Sequence, residues 1–223
     1  MEKNWFPQVL SYLRVRVPAL EDRFIESFRY VDVDPDNGNT FSHEYSSILT
    51  DACRAFGSAM DMIVKNEVEP GHEGEFDIWD YCSLLNRKFV EPFDTGVERG
   101  LFLEAGRMNL TWVSLSIDHQ RARGKMLMPF DSVVENTTPM RRWTAHNKLK
   151  HEDVENAKEG SFKNAFNAVA SVAFLYSQMS GGHDNDQVVG PLSEAGRRTR
   201  LFKDIGYLLS SPSEETRQFL FFS

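Results

Sequence analysis

Apolar residues recur at helical spacing in the first quarter of the chain. From 6 to 29 the spacing predicts a helix that is interrupted at Pro18. A turn-rich segment, 32–39, follows it, and Ser42 then stands where a helix N-cap belongs. The next segment, 45–63, repeats apolar residues at i, i+3 and i+4, so it predicts one of the two clearest helices.

The second half of the chain predicts one more clear helix and a strand-rich region. The clear helix runs from Phe162 to Tyr176 and carries a full apolar face. Between about 87 and 128 the helical period fails, and the β-rich run 110–117 predicts a strand that segments 100–104 and 125–128 could pair with. We therefore expect a small antiparallel sheet inserted at about 87–128. The stretch from Pro191 to Leu209 predicts a basic amphipathic helix.

The segment from Trp143 to His151 places polar groups among apolar ones. Trp143, Asn147 and His151 recur every four residues, which puts them on one helix face. Met140 and Val154 fall on that face too, so we expect the face to be buried. A buried amide and a buried imidazole need partners, which implies either a structural hydrogen-bond network or a chemical site.

Net charge limits the function classes. The chain of 223 residues has a formal charge of −8, which argues against non-specific binding to duplex DNA. Basic residues nevertheless cluster locally, for example at Arg141, Arg142, Lys148 and Lys150. Such a cluster is either a basic patch that binds an anion or, more simply, a solvated helix face.

The sequence offers no pattern typical of a metal site, a secreted protein or a membrane protein. Two cysteines without metal-type or disulfide-type spacing suit a reducing cytoplasm. The N-terminus does not resemble a signal peptide, and no apolar run has membrane-spanning length. Asp32, Asp34 and Asp36 match the start of a calcium-binding loop, but Asn37 and His43 break the match, which favours a hydrogen-bonded turn. We expect no metal and no cofactor.

Ribonuclease chemistry without a metal needs few groups, and the 143–151 segment contains them. RNA carries its own nucleophile, the 2′-hydroxyl, so a base and a cation suffice. His151 could be the base, Lys150 or Arg142 the cation, and Asn147 the orienting group. The alternative is that Asn147 and His151 hydrogen-bond across a bundle and hold helix register.

Two motifs in the second half resemble a known group. The pattern Trp143-x-x-His146-Asn147-x-x-Lys150-His151, followed by Ser161-Phe162-x-Asn164-Ala165-x-Asn167-Ala168, resembles a group of uncharacterised bacterial proteins with a WxxxNxxKH helix. Upstream, Tyr30-Val31, Asn39-Thr40-x-Ser42-x-Glu44 and Ile48-Leu49 are also similar to that group. The resemblance covers about half of the chain.

More distantly, the arrangement resembles HEPN domains, which are helical bundles that often dimerise and include metal-independent ribonucleases of toxin and defence systems. Their signature is an arginine, commonly followed by a polar residue, and a histidine four to six residues beyond the arginine. Aligning His151 with that histidine puts His146 where the arginine belongs. Pairing Arg141 with His146 also fits the signature but abandons Asn147 and His151.

The residue patterns and the resemblance together predict one mainly α-helical domain over 1–223, HEPN-like, with the small antiparallel β-sheet inserted at about 87–128. The resemblance implies a homodimer that binds or cleaves RNA in a defence or toxin system, and the cysteine usage and N-terminus predict a cytoplasmic location. The residues expected to carry catalysis are His151, Asn147, Lys150 and His146, and those expected to bind RNA phosphates are Arg141, Arg142 and Lys148. The alternative function is a non-catalytic helical module that binds a protein partner or a nucleotide.

Overall fold

Helices make up most of the part of the chain that the structure describes. The computed structural model describes residues 5–68, 81, 111–115, 126–127, 141–151, 154–180 and 201–207. Its helices are α1 (Trp5–Ser27), α2 (His43–Ile63), α3 (Arg141–His151) and α4 (Phe162–Ser180). The prediction of a mainly helical protein is confirmed.

Helices α1, α2 and α4 form the core by packing their apolar faces together. Phe24 of α1 stacks on Phe166 of α4 with ring centroids 4.7 Å apart, and Tyr45 and Phe162 complete the aromatic cluster. All four rings are buried. These positions belong to the apolar faces that the spacing predicted, so hydrophobic burial accounts for the arrangement of the three helices.

Helix α1 continues through Pro18, so the predicted interruption is wrong. Pro18 lies on the exposed side of the helix, where a carbonyl that loses its backbone partner can bond to water. Leu13 and Val17 before it, and Leu20 after it, are buried on the opposite side. Packing of that stripe holds the helix together across the proline.

Helix α2 begins at the predicted cap. The Ser42 hydroxyl accepts a hydrogen bond of 3.0 Å from the Tyr45 amide. The turn before it is hydrogen-bonded as expected, since the Asp34 carboxylate accepts from the Asp36 amide at 2.9 Å and the Asn37 side chain donates to the Asp32 carbonyl at 2.9 Å. Asp34 therefore caps a short 3₁₀ segment, Pro35–Asn39, in which Asp36 lies in the first turn.

Three short strands pair antiparallel in the order β2-β1-β3. Strand β1 is Thr111–Leu115, β2 is Met126–Leu127 and β3 is Phe202–Tyr207. Val113 pairs with Leu127 on one side and with Ile205 on the other. Segment 100–104 lies outside the described residues, and an insertion spanning 87–128 stays a prediction.

Strand β3 corrects the predicted C-terminal helix. Residues 202–207 form a strand, while 191–200 and 208–209 lie outside the described residues. Leu201 and Phe202 are fully buried, and the Phe202 ring lies 5.8 Å from that of Phe166. Pairing with β1 and burial against α4 outweigh the local helical pattern.

Within the described residues, no helix has the length and apolar character needed to cross a membrane.

Candidate functional site

Helix α3 turns a different face to the core than the sequence predicted. Ala145, His146 and Leu149 are its buried residues. Asn147 and His151 are exposed, and Val154 is 86% exposed. The predicted stripe of Trp143, Asn147, His151 and Val154 is therefore wrong, and Met140 lies outside the described residues. Among the side chains of α3 that the structure describes, the buried polar one is His146.

Trp143 fixes α3 against α2. A Cβ atom placed on Gly57 of α2 would lie 3.1 Å from Cη2 of the Trp143 ring, so the absence of a side chain at Gly57 allows the ring to lie against the helix. The Trp143 ring also meets Tyr81 edge-on, with centroids 6.0 Å apart, and contacts His146 at 5.7 Å. These contacts hold the His146 imidazole in place.

His146 is buried but not satisfied. Its side chain lies at 8% exposure, and within the described part of the chain Nδ1 has no hydrogen-bond partner. Burial lowers the pKa of His146 below its ordinary value of 6.5, and the positive charges of Lys150 and Arg54 lower it further. These effects disfavour the protonated form, so the imidazole is neutral at pH 7.

His146 lines a groove between α3 and the polar side of α2. The groove has a volume of about 620 Å³, and its walls include Phe41, Ser46, Thr50 and Arg54 from the α2 side and Lys150 from α3. Its size falls within the usual range of about 300–1,000 Å³ for small-molecule sites. A cavity that combines hydroxyls, cations and an unpaired imidazole is suited to a polar ligand.

The groove carries an excess of positive charge. Among the wall residues that the structure describes, the one carboxylate is Asp51, which receives a hydrogen bond of 2.6 Å from Arg23 of α1. Arg23 also bonds Glu44 and the Ser47 hydroxyl. Burial lowers the pKa of Arg23, but the hydrogen bonds and charges of Asp51 and Glu44 raise it above its ordinary value overall. Arg23 offsets one of the two carboxylates that it bridges, Glu44 and Asp51, so with Arg54 and Lys150 these five side chains carry a net charge of +1, which favours an anion.

The structure brings together two of the five predicted site residues whose side chains it describes. His146 and Lys150 line the groove, whereas Asn147 and His151 are exposed and do not line it. Lys148 forms an ion pair of 2.7 Å with Glu159. Arg141 and Arg142 begin α3, but their side chains lie outside the described residues.

Sequence reasoning missed the half of the groove that α2 supplies. Ser46, Thr50 and Arg54 follow one another at helical spacing on the side of α2 opposite its apolar stripe. That pattern is the ordinary solvated face of an amphipathic helix. Nothing in it indicates that α3 packs alongside, so the sequence held no signal that Arg54 approaches His146.

Among the described residues, no group of three or more His, Cys, Asp or Glu side chains is placed to hold a metal ion. Comparison of the chain with protein-family models, with curated proteins and with solved structures finds no match.

Proposed function

We propose that the groove between α2 and α3 binds RNA and that His146 makes it a metal-independent ribonuclease site. The observation that carries the proposal is a neutral imidazole, that of His146, in the lining of a groove that also presents Arg54 and Lys150. A phosphodiester supplies the anion that Arg54 and Lys150 attract. The adjacent 2′-hydroxyl supplies a proton for the imidazole to accept.

The chemical step uses groups that the groove and the RNA provide. His146 takes the proton of the 2′-hydroxyl, and the 2′-oxygen attacks phosphorus. The bond from phosphorus to the 5′-oxygen breaks, giving a 2′,3′-cyclic phosphate and a 5′-hydroxyl that gains its proton from solvent. Arg54 and Lys150 stabilise the charge that grows on the phosphoryl oxygens.

The resemblance to HEPN ribonucleases supports the same assignment in a modified form. With His146 as the signature histidine, the signature arginine is Arg141, with four residues between the two. This pairing replaces the one centred on His151, because His151 lies outside the groove. A HEPN-like fold, a cytoplasmic location, a homodimer and a defence or toxin role remain part of this proposal.

The test is cleavage of a labelled single-stranded RNA in EDTA by three proteins: wild type, His146→Phe and His151→Phe. Phenylalanine keeps an aromatic ring beside Trp143 but cannot take a proton. We expect His146→Phe to lose cleavage by at least about 100-fold, the usual contribution of a general base. His151→Phe is the matched control on the same helix, and we expect it to cleave at the wild-type rate.

Equal cleavage by wild type and His146→Phe would overturn the proposal. Binding of RNA without cleavage by any of the three proteins would leave the groove as a non-catalytic RNA-binding site. Failure to bind RNA would favour the other function considered from the sequence, a helical module for a protein partner or a nucleotide.

A further inference from the structure

An aromatic side chain is exposed at the groove. Phe41 lines the groove and is 58% exposed, whereas the aromatic residues of the core are buried. Exposing a large aromatic ring forgoes the stabilisation that its burial would contribute. An exposed ring beside cations and a buried imidazole is therefore a candidate ligand contact.

The backbone on both sides of Phe41 is fixed. The Ser42 amide donates to the Gly160 carbonyl at 3.2 Å, and the Phe162 amide donates to the Thr40 carbonyl at 2.8 Å. Phe41 itself pairs with Ser161 in an isolated antiparallel bridge. Helix α2 then starts directly after it, capped by Ser42. These bonds hold the backbone at Phe41, so binding would have to order only the torsions of its side chain.

The groove therefore offers two different kinds of contact. Arg54 and Lys150 provide positive charge, and Phe41 provides an accessible aromatic ring. A ligand that uses both has a flat π-face and a negative group. A nucleotide has these two features, but a duplex keeps the faces of its bases stacked inside, where Phe41 cannot reach them.

We propose that Phe41 stacks on an unpaired base and that the groove thereby selects single-stranded RNA over duplex RNA. This inference rests on the proposed function, since it names the substrate class of the same groove. His146, Arg54 and Lys150 line the same groove as Phe41.

The experiment measures binding by fluorescence anisotropy to labelled 2′-O-methyl RNA, which lacks the 2′-hydroxyl and is not cleaved. The probes are a single strand, the blunt duplex of that strand, and an abasic oligonucleotide of equal length. The proteins are wild type, Phe41→Leu, Phe41→Trp and Tyr30→Leu. Tyr30 is a matched control because its ring is 85% exposed and does not line the groove.

We expect Phe41→Leu to weaken binding of the single strand about tenfold, within the range for loss of one base–aromatic stack. Phe41→Trp should bind at least as tightly as wild type, and Tyr30→Leu should not differ from it. Binding of the abasic oligonucleotide should be the same for all four proteins, since that probe offers phosphates without bases. Thermal unfolding of each variant shows whether it is folded.

Two results would overturn the inference: wild-type affinity of Phe41→Leu for the single strand, or equal affinity of wild type for duplex and single strand. Failure of the proposed function looks different. If His146→Phe cleaves RNA as wild type does, the proposed function fails alone. If no RNA probe binds, the proposed function and the selection of single strands both fail.

Discussion

His146 is a polar side chain that the fold buries without giving Nδ1 a partner among the described residues. Leaving a buried polar group unpaired costs about 1–3 kcal/mol. Local rules of this kind are broken mostly where function needs the group. The nearby Trp143 ring and the α2–α3 contact show that the position is held by packing, so the unpaired nitrogen is built into the fold.

Replacing His146 with phenylalanine should therefore stabilise the protein while abolishing the proposed cleavage. At pH 8 we expect His146→Phe to raise the free energy of unfolding by about 1 kcal/mol, because the variant removes a buried nitrogen that has no partner. Urea unfolding followed by circular dichroism measures the change. Destabilisation of several kcal/mol would instead show that the imidazole is a structural hydrogen-bonding group.

The stability difference between these two proteins should also depend on pH. Since burial, Lys150 and Arg54 lower the pKa of His146 in the folded state, the unfolded chain binds the proton more tightly. The wild-type free energy of unfolding then falls as pH drops below about 6.5 and stops falling, for this group, below the folded pKa. His146→Phe lacks this contribution, so its advantage should widen between pH 7 and pH 5. A difference that is constant across this range would contradict the direction of the pKa shift.

The sequence located this helix but predicted the wrong buried face for it. It indicated that a polar side chain of 143–151 is buried, which is true of His146 rather than of Asn147 or His151. The short helix has too few large apolar residues to define one face. The face of Trp143 and Asn147 and the face of Ala145 and Leu149 were both compatible with burial. Contact with α2 and α4 selects the second, and a contact between distant segments cannot be deduced from spacing alone.

At the scale of elements, residue 160 lies so close to α2 that a side chain larger than that of glycine does not fit there. A Cβ atom there would lie 2.8 Å from Cβ and 3.0 Å from Cα of Ser46, and this backbone cannot move without displacing the helix. We expect Gly160→Ala to lower the free energy of unfolding by about 1–3 kcal/mol, the usual cost of overpacking. The cause is space rather than backbone strain, since φ at Gly160 is −73°.

Gly57→Ala is the control for this prediction. Its Cβ atom would meet only the outer edge of the Trp143 ring at 3.1 Å, and alanine favours the helix by about 1 kcal/mol over glycine. Urea unfolding should therefore show a smaller loss for Gly57→Ala than for Gly160→Ala. An equal loss in the two variants would contradict the assigned role of Ser46.

The elements were predicted correctly where one apolar helix face determines the structure, and wrongly where strand pairing determines it. The apolar stripes and the Ser42 cap predicted the bounds of α2 and α4 closely. The segment 202–207 carries a helical pattern but forms β3, because β1 provides backbone partners and the core buries Phe202. Such partners lie about 90 residues away in the chain, so a local pattern contains no information about them.

At the scale of the whole molecule, a buried carboxylate connects the first helix to the last strand. Glu21 of α1 is 1% exposed, and its Oε1 accepts a hydrogen bond of 3.3 Å from the fully buried Leu201 amide. Glu21→Ala would remove this acceptor, and we expect a loss of about 1–3 kcal/mol in unfolding free energy with faster amide exchange at Leu201. Glu21→Gln keeps an acceptor oxygen and should retain more of the protection. If both variants exchange at the wild-type rate, Glu21 does not hold this segment.

The net charge of the chain is negative and that of the groove is positive. The salt dependence of RNA affinity therefore shows whether RNA binds through the groove. A protein of net charge −8 should not bind nucleic acid over a broad surface, so RNA affinity should come from the few cations of the groove. With Arg54 and Lys150 as the two phosphate contacts, log K should fall with log salt concentration with a slope of about −1.4, from about −0.7 per contact on single strands. Arg54→Gln should reduce the slope to about −0.7.

Lys148→Gln is the matched control and should leave the slope unchanged, since Lys148 pairs with Glu159 and does not line the groove. A slope steeper than about −4, or one that Arg54→Gln does not alter, would place the RNA on another surface of the protein.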